Sequence, residues 1–246
     1  EYLSGENPLG IDYLKKGLEW VIRANDREMK GYAYLQLGNS YMNLTQFDSS
    51  LANYGRAYEV LSDSTNPVNL SKLYKNLGTL YGLKSSYDLQ VKYLNRALAI
   101  REKLGDPVLV ADALVEIGRL NASNSNFDVA EGYLSKAEKI LQQNTSDLEN
   151  LNDYRYAKAL LLLHDTKFEE AFVLLDSAKS FYERTSMLMK MITLHIDLGS
   201  VFMSRGEYEV ALKNYYTALR FAQPKGFLIQ VMDIEVRLGW VNYHLG

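Results

Sequence analysis

A small residue returns along this chain at a fixed step. Gly38, Gly78, Gly118, Gly199 and Gly239 are separated by 40, 40, 81 and 40 residues, and 81 is two steps with one residue inserted. The missing member falls at Ala159, which is also small. Self-similarity at a period of roughly 20–50 residues marks a chain built as an array of like units, in which each unit shelters the apolar face of the next.

The stretch from Leu198 to Leu219 shows what one unit is. Leu198 and Phe202 are four apart and share a helix face. Gly199 between them lets a neighbouring helix come close. Gly206 stands where the first helix ends. Tyr208, Ala211, Tyr215 and Ala218 then recur at threes and fours, alternating large and small, as a second helix packed back on the first requires.

The other units repeat this order. The first helix carries Tyr41, Tyr81, Asn121, Leu162, Phe202 and Asn242. An aromatic follows each turn at Phe47, Tyr87, Phe127, Phe168 and Tyr208. The second helix has a small residue at Ser50, Ala130, Ala171 and Ala211, with the bulky Gln90 as the exception. Its large residue is Tyr54, Leu94, Leu134, Leu175 and Tyr215, followed by Ala57, Ala97, Ala137, Ala178 and Ala218. Gln90 is expected to loosen its hairpin.

This order resembles the tetratricopeptide repeat, whose unit is about 34 residues. The 40-residue step, with Gly105-Asp106-Pro107 between units, resembles the long-helix variant of kinesin light chains, polarity scaffolds and bacterial signalling proteins. The resemblance implies an all-α, right-handed α-solenoid of five full hairpins with partial units at both ends.

The expected units are 8–24 (partial), 28–62, 67–104, 107–143, 148–184, 186–222 and 227–246 (partial), in a single array over 1–246. Residues 1–7 are expected to be loose. Asn66 is expected to cap the helix that Pro67 opens, and Asp106 the one that Pro107 opens. The fourth unit is the most degenerate, and the inserted residue near its start is expected to change the superhelix pitch. The absence of an initiator Met and the apolar Leu238, Trp240, Val241 and Tyr243 make the chain read as a piece of a longer protein.

Composition narrows the function classes. A formal net charge of −3 argues against nucleic acid, whose binders are basic. There is no apolar run approaching roughly 18 residues, so no membrane contact is expected from this piece. Cysteine is absent, which removes disulfides and thiolate metal sites and fits periplasm and cytoplasm alike.

No phosphate loop, dinucleotide motif, paired zinc histidines or kinase loop is found. His164, His195 and His244 stand apart in sequence and read as surface or groove residues. Asp112 and Glu116 share a helix face and read as a solvated pair, with Glu116 reaching Arg119 three residues on. Most of the nineteen tyrosines read as packing residues. No catalytic residue, metal or cofactor is expected, and the chain is not expected to be an enzyme.

The resemblance implies that first helices line a peptide-binding groove. The positions carried over are Tyr32, Leu35, Asn39 and Asn43; Lys72, Lys75, Asn76 and Thr79; Asp112, Val115, Glu116 and Arg119; Asp153, Tyr156 and Leu160; and Ile196, Asp197 and Ser200. Tyr32, Asn39, Lys72, Asn76, Asp112, Glu116, Arg119 and Tyr156 form the candidate site. Chaperone-binding relatives clamp a terminal carboxylate with two Lys, two Asn and one Arg. Here Asn39 and Asn76 match, but Leu35, Asp112 and Glu116 occupy the cationic places. That clamp is therefore not expected, and the acidic positions favour a protein or peptide with basic residues.

The leading expectation is the sensory or interaction region of a larger bacterial signal-transduction protein, resembling histidine kinases and transcription regulators of this build. The alternatives are a stand-alone scaffold and a peptide or small-molecule receptor. Self-association through the exposed array ends is also expected to be open to the chain.

Overall fold

The computed structural model describes residues 8–63 and 67–246. The expectations for residues 1–7 and for Asn66 lie outside them. The described residues form helices and connecting turns, with no strand among them.

Twelve α-helices follow one another: α1 Pro8–Arg23, α2 Arg27–Asn43, α3 Phe47–Leu61, α4 Val68–Leu83, α5 Tyr87–Leu104, α6 Pro107–Ser123, α7 Phe127–Gln143, α8 Leu148–His164, α9 Phe168–Arg184, α10 Leu188–Ser204, α11 Tyr208–Ala222 and α12 Leu228–Leu245. A 3-10 turn at Gln223–Lys225 precedes the last. Five hairpins pair α2 with α3, α4 with α5, α6 with α7, α8 with α9 and α10 with α11. The expected all-α stack of two-helix units is what is found. Two compact units are distinguished, Glu1–Gly105 and Asp106–Gly246.

Four of the five hairpins close on a glycine, and the fourth has Ala159 there. A Cβ built on Gly118 would lie 2.7 Å from the Leu134 side chain, and one on Gly78 would lie 2.9 Å from Leu94. The rings of Tyr54 and Tyr215 occupy the same space against Gly38 and Gly199. The large residue of the second helix thus fills a slot that only a missing side chain provides. The alanine three residues on is buried in all five hairpins. In the first unit the core gathers Leu35, Tyr54, Ala57, Leu61, Leu73, Leu77 and Leu80.

Gln90 does not loosen its hairpin. A Cβ at Gly82 would lie 2.6 Å from Gln90 Nε2, so the bulk added to α5 is matched by bulk removed from α4. Leu94 and Ala97 stay buried beside it.

The turn within each hairpin is one repeated device. Thr45, Ser85, Ser125, Thr166 and Gly206 adopt φ of 58°, 56°, 62°, 62° and 75°. The N–H of each bonds back three residues, and the next N–H bonds back five, as in Gln46 N to Tyr41 O at 2.9 Å and Glu207 N to Phe202 O at 2.9 Å. This is the left-handed C-terminal cap, which satisfies the last carbonyls of the first helix. Only the fifth hairpin uses glycine there. Helix starts are capped where Asp stands, at Asp26, Asp106 and Asp147. Asp26 accepts from Met29 N at 2.9 Å, and Asp106 accepts from Val108 N at 2.9 Å with Pro107 in the first turn. Ser186, at φ 55°, still belongs to the cap of α9, so α10 starts at Leu188 rather than Ser186.

Candidate functional site: a polar ladder on the first helices

The first helices are joined to one another by side-chain hydrogen bonds. In the first unit, Asn39 Oδ1 accepts from the Tyr54 hydroxyl at 2.7 Å and from Asn76 Nδ2 at 2.7 Å. Asn39 follows the repeat glycine, and Asn76 stands two residues before the next one. Asn39 Nδ2 makes only a long 3.5 Å approach to Gln36. Burial pushes the Tyr54 hydroxyl well above its ordinary pKa.

The second unit repeats the rung with other chemistry. Ser200 follows Gly199, and Arg237 stands two before Gly239. Arg237 Nη1 donates to Ser200 Oγ at 2.8 Å, while its Nε donates to Asp233 at 3.0 Å. The spacing is 37 residues in both rungs.

Between them one rung is altered. The residue that Arg119 would meet by this spacing is Tyr156. Arg119 instead reaches the carboxylate of Asp197, one repeat further on, and the Tyr156 hydroxyl donates to the same oxygen. Burial alone would lower the Arg119 pKa; Asp197 outweighs it, and the net shift is upward. Burial and then Asp197 hold Tyr156 in its neutral form. Beside this lies a second carboxylate centre. Asp153 accepts from Tyr182 at 2.5 Å and from Lys190.

The candidate residues are therefore placed unevenly. Asn39 and Asn76 are brought together. Tyr32 and Lys72 are exposed on α2 and α4. Asp112 and Glu116 are half-buried on α6. Arg119, expected to pair with Glu116, is engaged by Asp197, and the Glu116 carboxylate also favours its charged form. Tyr156 is 2% exposed and supports the face from beneath. Leu35, Val115, Leu160 and Ile196 belong to the core, since an aliphatic side chain at these positions turns into the next first helix. Tyr182, Lys190 and Arg237 were not among the sequence candidates. The 37-residue spacing is the signal that finds Arg237; nothing local marks the other two.

The histidines are wedges between neighbouring helices. His164 stacks on Phe127 at 3.6 Å, and His244 on Tyr208 at 5.1 Å. Arg205 takes the same place over Phe168 at 4.9 Å. His195 Nδ1 lies 3.1 Å from Asn214 Oδ1, and burial lowers its pKa. Among the described residues no three His, Asp or Glu side chains are grouped to hold a metal ion. No helix among them is long and apolar enough to cross a membrane.

No family model matches the chain. No curated protein matches it. Solved structures do. Aspartyl phosphate phosphatase F from Bacillus subtilis superposes with a TM-score of 0.67 at 15% identity, over 97% of this chain and 66% of that one. The apo form of RapI gives 0.71 at 16% identity, over 87% and 76%. A Rap protein complexed with competence and sporulation factor gives 0.55 at 16% identity, over 96% and 70%. The fold is a tetratricopeptide-like helical repeat. The chain spans just under two thirds of the length of the phosphatase it matches.

Proposed function

We propose that this chain is a protein- or peptide-binding module of a larger signal-transduction protein, and that it binds rather than catalyses. The observation that carries the reading is the Asn39–Asn76 rung. Two half-buried amides on successive first helices share one hydrogen bond and keep further donor and acceptor capacity. A peptide backbone offers the matching groups. Tyr32 and Lys72 flank the rung and are exposed to contact a ligand.

The acidic side chains on the first helices are partly neutralised, Asp197 by Arg119 and Asp153 by Lys190. A peptide or small-molecule receptor is the second reading, supported by the solved complex of a Rap protein with competence and sporulation factor.

The test is selection of displayed random peptides on the chain, followed by titration against variants. Asn76→Ala removes one donor and leaves the Tyr54–Asn39 bond intact; Lys72→Glu reverses an exposed charge. Selected peptides should lose affinity for both variants while the melting temperature stays unchanged. Equal affinity for wild type and both variants would remove this face as the binding site.

A further inference from the structure

A row of tyrosine rings runs across α3, α4 and α5 in the first compact unit. Tyr58 meets Tyr74 at 6.3 Å between ring centroids, Tyr74 meets Tyr93 at 6.0 Å, and Tyr93 stacks on Tyr81 at 5.3 Å with the rings 4° from parallel. Tyr58 is exposed and the other three are half-buried. Arg96 lies over both Tyr74 and Tyr93, at 5.6 and 5.5 Å. The arrangement recurs one repeat earlier, where Arg56 lies over Tyr34 at 5.9 Å. Each arginine stands two residues after the large residue of its second helix, and Tyr34 and Tyr74 each stand four before the repeat glycine. Tyr74 is two residues from Asn76, so the two side chains leave α4 on opposite sides. This surface is therefore not the one that carries the Asn39–Asn76 rung.

Stacking on a ring uses the flat face of a guanidinium and leaves its in-plane N–H donors for a partner. Arg56 and Arg96 are exposed, and among the described residues neither makes an ion pair. Lys92, one turn before Arg96 on α5, is exposed as well. α4 has no acidic side chain, and α5 has none between Asp88 and Glu102. Burial first, and then Tyr58 and Tyr81 respectively, raise the pKa of Tyr74 and Tyr93, so both hydroxyls stay protonated and able to donate. The donors are already held by the stacked rings, which lowers the cost of ordering them on binding. We propose that this tyrosine–arginine surface docks an acidic segment of a protein partner, with a carboxylate on the donor edge of Arg96 beside Lys92 and a second on that of Arg56. Nucleic acid is the poorer match, because its binders neutralise many phosphates and this chain carries a net charge of −3.

Fluorescence anisotropy of a labelled octaglutamate peptide, titrated with the 246-residue chain, tests this. The peptide should bind at low salt and be released as salt rises. Arg96→Gln and Lys92→Gln should each weaken binding about fivefold, the upper range for one exposed charged pair, with the melting temperature unchanged. Arg96→Lys keeps the charge but loses the planar fork, so it should also weaken binding. Lys139→Gln, an exposed cation on α7, should change nothing. Absence of octaglutamate binding, or tighter binding of a single-stranded oligonucleotide of equal charge, would overturn the proposal. So would a loss on Lys72→Gln with none on Arg96→Gln, which would put the acidic peptide on the first-helix face instead.

Discussion

Arg119 and Asp197 are 78 residues apart in sequence, on α6 and α10, and their side chains are in direct contact. The contact passes over α8, whose Tyr156 hydroxyl donates to the same carboxylate oxygen. Asp197→Ala should therefore leave a largely desolvated guanidinium uncompensated. The expected loss is about 3 kcal/mol, the low end for a broken buried pair because Arg119 keeps some solvent contact. Arg119→Met combined with Asp197→Leu should cost clearly less. Urea denaturation of the two proteins measures the difference; equal losses would mean that the pair itself carries the stability.

The buried tyrosines predict an alkaline limit. Tyr54, Tyr156 and Tyr182 are held neutral in the folded state, chiefly by burial, with the nearby carboxylates adding to it for the latter two. In the unfolded chain they titrate near their ordinary value of about 10. Their folded pKa values are raised, so the stability they contribute is complete below pH about 10 and is lost as pH rises above it. Each group adds up to about 1.4 kcal/mol per pH unit to the slope. Tyr156→Phe and Tyr182→Phe should each make that slope shallower between about pH 10 and 11. Absorbance at the phenolate band, read beside the circular dichroism, should show these rings ionising only as the helices melt.

The glycine slots predict an order of costs. Gly38→Ala and Gly199→Ala place a methyl group into a packed tyrosine ring, and Gly118→Ala places it into Leu134. Such overpacking costs about 1–3 kcal/mol. Gly82→Ala meets only the flexible end of Gln90 and should cost less. Gly239→Ala meets nothing and should stabilise α12 by up to about 1 kcal/mol through helix propensity. Chemical denaturation of the five variants orders them; a large loss at Gly239 would contradict the open slot.

The hairpin turns hold removable strain. Thr45, Ser85, Ser125 and Thr166 sit in the left-handed region that Gly206 occupies without a side chain. That conformation costs a non-glycine residue about 1–2 kcal/mol, partly offset by the entropy a glycine loses on folding. Glycine at any of the four positions should raise stability by about 0.5–1 kcal/mol, and Gly206→Ser should lower it by a similar amount. Thermal melts of single variants decide the sign at each site.

Helix limits were legible because their signals are local. Asp106 and Pro107 open α6, and Gly206 stands just past the end of α10, as expected. The face of the first helices was legible only in part. Position within the repeat told which helix a residue lies on. It did not tell whether the side chain meets solvent or the next first helix, and so Leu35, Val115, Leu160 and Ile196 were misplaced. Gln90 shows the same limit from the other side: its fit depends on Gly82, a residue that carries no signal until the two helices are set against each other. The reach of Arg119 to Asp197 spans two repeats and could not be read from either residue.

Repeat arrays whose units touch only their neighbours come apart one unit at a time. The bond from α6 to α10 removes that freedom for the helices it spans. α8 cannot loosen while α6 and α10 stay in register, because Tyr156 is tied to the same oxygen. The slowest amide protons in the second unit should therefore exchange together across these three helices, and by opening of the whole block rather than by fraying from its ends.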